Sequence, residues 1–451
     1  MQERAYPPGP RPRLPGGAYF ALHRDPLGAL AHAVRDYGDI VHLQLGPRHD
    51  YLLNHPDLVR SVLLAPEHMR RSLPRALKPL LGRGLLSCPD DFHRRHRQLL
   101  QPAFGHQAIA SYADAMVACA SLTSSRWVDG QTLDVAAAML RLSLAIVVRA
   151  LFGGDVDREA PAVGELVDAI VGATSKETIP FLDQLLARLP LSPARRLTRA
   201  TRAFREFVVG LVAERLSDAS RATDLLGFMV SRREPEGGRS FSDEQILDEA
   251  VTMVVTGHET IGIAIAWTWH LLSQHPEVEA RVHAELGSVL GGRRPTYGDL
   301  DRLVYLDQVF SESMRLYPPV WLVVRRPERD VQIGGYDVPA GSYLHMSQFV
   351  IHRDPRFFPD PERFDPDRWT PAAVAARPRH WYFPFGLGAR RCIGETFARV
   401  EGVLVLATIA QSWSLRLVAG HPVELQPLIT LRPKHGLVVT LHRREHASAS
   451  A

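Results

Sequence analysis

The sequence predicts a mainly α-helical protein with a few small β-sheets, and three observations carry that prediction. From Pro56 to about Arg233 apolar residues recur mostly at helical spacing, with breaks at Pro89-Asp90, Gly153-Gly154, Ile179-Pro180 and Leu189-Pro-Leu-Ser-Pro193. A second periodic run extends from Asp243 to about Gln274, and Ser242-Asp-Glu-Gln245 at its start is a capping-box signature. Short clusters of β-formers, set off by glycine and proline, fall near both ends of the chain and between them. Strands from distant parts of the chain are therefore expected to share small sheets.

No low-complexity linker or internal repeat divides the 451 residues. A single domain over residues 1–451 is expected, or a major and a minor lobe sharing a core, with 1–17 as a loosely ordered, proline-rich lead. An apolar fraction of 45% with 23% charged residues allows a sizeable core and excludes wholesale disorder. The net charge of +4 comes from 53 basic and 49 acidic residues, a near balance that, without a basic tail, gives no case for nucleic acid. Met1–Gly17 lacks the apolar core of a signal peptide, and the best apolar stretch, Val135 to Phe152, carries Arg141 and Arg149. Three cysteines, Cys88, Cys119 and Cys392, make no disulfide framework and suit a reducing compartment. These features lead to the expectation of a soluble, cytoplasmic, monomeric protein with no membrane partner.

Taken in order, Ile40–Leu45 and Tyr51–Asn54 flank Gly46-Pro47 and read as a hairpin. Asp91-Phe-His-Arg-Arg-His-Arg97 opens a helix on which His93 and Arg97 share a face, either a solvated basic surface or the seat of a buried anion. Glu234-Pro-Glu-Gly-Gly-Arg239 is a loop. The long helix after it carries Thr256-Gly-His-Glu-Thr260 at its middle. A glycine there costs about 1 kcal/mol relative to alanine, and threonine hydroxyls bond back to the preceding turn. The helix is expected to be weakest at this point. That weakness reads as a packing kink beside a surface glutamate, or as room for a ligand with Glu259 and Thr260 relaying protons.

Leu303–Leu316 is the next helix, stopped by Pro318-Pro319, with Glu312 and Arg315 on one face. Strands follow at Trp321–Val324, Val331–Ile333, Tyr336–Val338 and Tyr343–Met346, with turns at Gly334-Gly335 and Pro339-Ala-Gly341. Asp354–Phe385 is proline-rich and without period. A helical pattern covers Glu395–Trp413, and Val423–Leu428 with Leu437–His442 reads as a closing hairpin. Between them, Phe385-Gly-Leu-Gly-Ala-Arg-Arg-Cys-Ile-Gly394 presents Cys392 in a glycine-rich turn. A thiolate offered there, ahead of a helix N-terminus, suits a soft or borderline metal, and Gly386, Gly388 and Gly394 allow unusual backbone and close approach of a flat ligand.

Together these segments resemble the cytochrome P450 family of haem-thiolate monooxygenases over nearly the whole chain. Phe385, Gly388, Arg390, Cys392 and Gly394 match Phe-x-x-Gly-x-Arg-x-Cys-x-Gly, and Glu312-Ser-Met-Arg315 matches Glu-x-x-Arg. Arg363, in Pro361-Glu-Arg-Phe364, matches the arginine completing that ion-pair triad. Thr256-Gly-His-Glu-Thr260 matches the oxygen-activation motif except at Thr256, where alanine is usual. The resemblance implies a cytochrome P450-like fold, with haem b (iron protoporphyrin IX) between the long central helix and the Cys-ligand loop and helix.

By the same resemblance Cys392 is the axial thiolate to the iron, and Phe385 and Gly257 belong with the cofactor. Arg390, His93, Arg97 and Arg325 answer the propionates, Arg326 being the neighbouring alternative to Arg325. Thr260 and Glu259 are the catalytic pair that holds water and passes protons toward O2, the co-substrate. Glu312, Arg315 and Arg363 are structural, and Cys88 and Cys119 are structural free thiols. Arg94, Arg95 and Arg391 are expected to steer an acidic ferredoxin or flavodoxin, which with its reductase brings electrons from NAD(P)H, since the chain has no room for a fused reductase.

Position in that fold marks Leu85, Leu86, Val251, Val255, Thr256, Val320, Leu322, Val323, Ile429 and Thr430 as candidate substrate contacts, although each also reads as an ordinary core position. Their aliphatic character points to an apolar, medium-sized molecule, a terpene, polyketide, fatty acid or steroid, hydroxylated or epoxidised, with secondary metabolism favoured. A haem-thiolate peroxygenase or isomerase and a non-catalytic haem-binding sensor are the other readings. The Glu259-Thr260 pair favours reductive oxygen activation over all of them.

Overall fold

The computed structural model describes residues 6–10, 17–45, 48–65, 69–74, 77–154, 166, 169–170, 193–217, 224–231 and 240–444. The expected turn at Gly46-Pro47, the loop Glu234–Arg239, the breaks at Ile179-Pro180 and most of Leu189–Pro193, and much of the proline-rich lead lie outside the described residues. The chain forms two compact units, one from Met1–Leu73 and Glu312–Cys392, the other from Pro74–Ser311 and Ile393–Ala451.

The first unit is organised on a five-stranded sheet in the order Ile40–Leu45, Arg48–Leu53, Tyr343–Met346, Val323–Pro327, Met69–Arg71. Arg48–Leu53 and Tyr343–Met346 run parallel, and the other neighbours are antiparallel. Tyr343–Met346 alternates at period two, whereas Asp50–Leu53 is buried on both faces. Tyr51, Leu53, Leu344 and Met346 join Val59, Leu63, Ile351, Phe358 and Phe383 in one apolar cluster. The strand expected at Trp321–Val324 begins instead at Val323 and runs on through Arg325 and Arg326, which pair with Arg71 and Arg70. Gly334 and Gly335, at φ 54° and 87°, make the tight turn between Val331–Ile333 and Tyr336–Val338, where the sequence placed it.

The second unit is helical, and its longest element is the 32-residue helix Asp243–Gln274. Both halves of the capping box are formed: Gln245 N–H donates to Ser242 Oγ at 3.2 Å, and Ser242 N–H donates to Gln245 Oε1 at 2.7 Å. The helix lies close against Val135–Phe152. A Cβ on Gly262 would come within 2.9 to 3.1 Å of the Met139 and Leu140 backbone, and one on Gly257 within 3.3 Å of Val147. Both helices are long and apolar enough to cross a membrane, but 72% and 78% of their apolar windows are buried inside the protein, so their composition is that of core helices.

A three-stranded antiparallel sheet in the same unit has Val438–Arg443 between Thr132–Asp134 and Trp413–Leu417. The closing hairpin expected from the sequence is therefore wrong in its pairing. Leu425–Pro427 pairs with Leu431–Pro433 instead, forming a separate two-stranded ribbon. The helix after the cysteine ends at Ala410, before Trp413, because Trp413 and Leu415 alternate inward as a strand. Its Gly402 lies against the Phe310 ring, where a Cβ would come within 2.5 Å.

Candidate active site

Cys392 is exposed at the end of a tightly bonded loop. Its N–H donates to the Phe385 carbonyl at 2.9 Å, Gly386 N–H to Phe383 O at 2.9 Å, and Arg391 N–H to Gly388 O at 3.0 Å. Gly386 and Gly388 both take φ 72°, a region that disfavours any side chain. Gly388 is constrained a second time, because a Cβ there would sit 2.2 Å from the Leu63 carbonyl oxygen of the helix Pro56–Leu64. Gly394, at φ −88°, takes a conformation any residue adopts, so no special freedom is needed there. None of the three cysteines is in a disulfide, and Cys88 and Cys119 are buried. An exposed thiol on a glycine-fixed loop, with Arg390 two residues before it, is chemically fit to ligate a haem iron and to flank it with positive charge.

In the same unit Glu312 and Arg315 are fully buried and doubly bonded, Arg315 Nε to Glu312 Oε2 and Nη2 to Oε1, each at 2.8 Å. Arg315 also donates to the carbonyls of His352, Pro361 and Arg363. Glu312 accepts from Asp365 N–H at 3.0 Å and Trp369 Nε1 at 2.9 Å. The third member of the network is Arg368, whose Nε lies 3.3 Å from Glu312 Oε1. Arg363 is exposed and contributes its carbonyl, which corrects the expectation for that residue. Arg363 closes a turn on Asp360 with its side chain outward, whereas the 3-10 turn Pro366–Trp369 directs Arg368 and Trp369 onto the carboxylate. Pro366-Asp-Arg-Trp369 repeats the order of Pro361-Glu-Arg-Phe364, and the pattern alone offers no choice between them.

In the second unit the long helix runs unbroken through Thr256–Thr260. A ladder of hydroxyls follows one face: Thr252 Oγ1 donates to Asp248 O at 2.7 Å, Thr256 to Thr252 O at 2.7 Å, and Thr260 to Thr256 O at 2.9 Å. With its proton given to the helix, the Thr260 hydroxyl offers lone pairs outward and acts as an acceptor. Glu259 is not on the surface. It is 3% exposed, and its Oε1 accepts from Thr430 Oγ1 at 2.5 Å and from Arg432 Nε at 2.9 Å.

The chain matches the family model "Cytochrome P450" over residues 7–439. It belongs to the cytochrome P450 family. Among its relatives, cyclooctatin synthase of Streptomyces melanosporofaciens is 38% identical over 92% of either chain. Cyclooctat-9-en-7-ol 5-monooxygenase of the same organism is 38% identical over 92% of this chain and 90% of its own. Pentalenene oxygenase of Streptomyces avermitilis is 34% identical over 91% of each. The protein is accordingly a P450 monooxygenase, of a family that carries haem on a cysteine thiolate and works on small molecules with redox partners.

The basic residues expected of this P450 are distributed over both units. On the helix Asp90–Leu100, His93 is buried and Arg97 half-buried, while Arg94 and Arg95 are exposed. On the strand Val323–Pro327 the two neighbouring arginines separate. Arg326 donates to the Gly341 carbonyl and lies over the Tyr343 ring, whereas Arg325, on the opposite face, is 7% exposed. Arg390 is half-buried in the 3-10 turn Gly388–Arg390. Of the candidate substrate contacts, Leu86, Val255, Thr256 and Ile429, and in the other unit Val320, Leu322 and Val323, keep partial exposure, while Leu85 is buried. Val251 has none, so it presents no surface to a ligand here, and the Thr430 hydroxyl is committed to Glu259.

One feature escaped the sequence entirely. Asp248 and Glu249, both buried, bind the segment Gly82–Leu85 and its neighbours: Arg83 N–H and Arg205 Nη2 donate to Asp248 at 2.8 Å, and Leu85 N–H donates to Glu249 at 3.0 Å. His96 Nδ1 meets Glu249 Oε1 at 2.6 Å. This ties Leu85 and the helix bearing His93 and Arg97 to the first turns of the long helix. In sequence the Asp-Glu pair falls within the apolar period of the long helix, beyond its first turn, and no local signal marks it.

Proposed function

We propose that this P450 inserts one oxygen atom from O2 into a polycyclic terpene-type hydrocarbon or its monohydroxylated derivative, by hydroxylation or epoxidation. The observation that carries the reading is the buried acid beside an outward-accepting alcohol, Glu259 and Thr260, in a chain that shares about a third of its residues with enzymes named for pentalenene and cyclooctat-9-en-7-ol. Those names describe an alkene and an alkenol, with little polarity to anchor, and the candidate contacts Leu85, Leu86, Val255, Val320, Leu322, Val323 and Ile429 are aliphatic.

In this reading Cys392 holds the haem iron, and the haem when bound supplies the centre at which O2 is activated, its thiolate ligand favouring O–O cleavage. His93, Arg97, Arg325 and Arg390 neutralise the propionates, Arg325 rather than Arg326 because Arg325 is the buried member of the pair while Arg326 lies on the face that carries Tyr343. Phe385 and Gly257 border the cofactor. Thr260 Oγ1 accepts from an ordered water, and Glu259 replenishes the proton that water gives up. Exposed Arg94, Arg95 and Arg391 draw an acidic ferredoxin or flavodoxin. The setting in this reading is cytoplasmic, and burial of both apolar helices argues only against either of them crossing a membrane.

The test is a panel of cyclic terpene hydrocarbons and alcohols, pentalenene and cyclooctat-9-en-7-ol included, screened for the low-to-high spin shift, then turned over with surrogate ferredoxin, reductase and NADPH. Product carrying one labelled atom from 18O2 supports the reading. Product with peroxide alone favours a peroxygenase, conversion without electrons an isomerase, and spectral binding without turnover a sensor.

A further inference from the structure

We infer that Thr430 and Arg432, on the ribbon near the C-terminus, are positioning residues for Glu259, and that they fix which of its oxygens takes part in proton delivery. The inference rests on the assignment of Glu259 to the relay. A carboxylate 3% exposed on a helix is costly to keep ionised unless it is paired and hydrogen-bonded. Here the compensation comes from outside the helix. Thr430 Oγ1 lies 2.5 Å from Glu259 Oε1, Arg432 Nε 2.9 Å and Arg432 Nη2 2.8 Å.

Two features make the arrangement specific. Thr430, in the bend that leads into the strand Leu431–Pro433, and Arg432, on that strand, reach the same carboxylate oxygen. Between them, the Leu431 carbonyl accepts from Trp267 Nε1 at 2.8 Å. Glu259 and Trp267 are eight apart on the long helix, two turns along one side. The ribbon is thus fastened to the helix at two points, and the segment 430–432 cannot shift relative to Glu259 without breaking the Trp267 bond. The three contacts to the carboxylate all fall on Oε1, which leaves Oε2 as the oxygen to exchange a proton with water. The motif at 256–260 names the acid, but the ribbon sets its orientation.

The variants are Arg432→Gln, Arg432→Lys, Thr430→Val and Glu259→Gln, each studied as haem-loaded protein. Arg432→Gln is expected to leave the substrate dissociation constant from the spin shift within about twofold of wild type, while kcat and product per NADPH fall at least about tenfold, as in Glu259→Gln. Arg432→Lys should recover most of that loss, and Thr430→Val should show a smaller loss of the same kind. The Glu259→Gln/Arg432→Gln double variant should be no worse than Glu259→Gln, and urea midpoints across the same cycle should be non-additive. If Glu259→Gln loses coupling while Arg432→Gln and Thr430→Val keep wild-type kcat and coupling, the inference fails and the relay stands. Wild-type kcat and coupling in Glu259→Gln would overturn the relay itself.

Discussion

Glu401, in the helix Glu395–Ala410 that follows the cysteine loop, offers a measurable pH signature of the core. Its side chain is fully buried, Oε1 accepts from Ser143 Oγ at 2.6 Å, and Oε2 has no hydrogen-bond partner. Burial raises the carboxyl pKa from 4.5 to about 8, the Ser143 hydroxyl opposing it only in part. The folded protein therefore holds a proton at Glu401 that the unfolded chain has lost. Below pH 4.5 both states are protonated and the site adds no pH dependence. As pH rises from there toward 8, folding takes up a proton, and stability falls by about 1.4 kcal/mol per pH unit.

Glu401→Gln removes the titration and keeps the shape. Glutamine leaves a polar hydrogen at the orphaned position much as the protonated acid does, so any offset it introduces is independent of pH. Between pH 5.5 and 7.5 the variant should gain about 3 kcal/mol relative to wild type. Urea midpoints of the haem-loaded proteins, measured side by side at pH 5.5, 6.5 and 7.5, give that difference. A constant offset across the three would show that Glu401 is ionised in the folded protein, and the argument from burial would be refuted.

Other perturbations separate the remaining assignments. Arg368→Ala should lower stability by about 1–3 kcal/mol by leaving buried Glu312 one cation short, whereas exposed Arg363→Ala should stay within about 0.5 kcal/mol of wild type; equal losses in urea titrations would contradict Arg368 as the partner. Gly388→Ala meets both a left-handed backbone and the Leu63 carbonyl 2.2 Å away, while Gly386→Ala meets the backbone strain alone; the first should weaken haem retention, measured by transfer to apomyoglobin, much more than the second. Thr260→Ala should keep haem and the substrate spin shift but divert NADPH electrons to peroxide, and undiminished coupling would remove Thr260 from the relay.

How much of this was legible depended on whether the information was local. The long helix could be read to its ends, because its capping box and apolar period are short-range signals, and the ribbon turn at Gly334-Gly335 for the same reason. Pairing of the last strands could not. Val438–Arg443 chooses Trp413–Leu417 and Thr132–Asp134 over the nearer Leu425–Pro427, a choice made by burial of Trp413 and Leu415 against the helical unit. Likewise a proline, acid, arginine, aromatic order occurs twice within nine residues of Pro361–Trp369, and only the three-dimensional turn shows which arginine reaches Glu312.

The acid-alcohol pair shows the same limit where function is concerned. The residues at 256–260 name a glutamate and a threonine but not their surroundings, and read alone they allow a surface glutamate. What removes Glu259 from the surface is a ribbon some 170 residues further on, contributed by a threonine that the sequence reading assigned to substrate and an arginine it passed over. Burying a carboxylate needs a partner of opposite charge, and no local pattern announces one from that distance. The long helix therefore carries the acid, and the ribbon carries the groups that hold it. Changes at Thr430 or Arg432 should accordingly alter proton delivery even where substrate still binds.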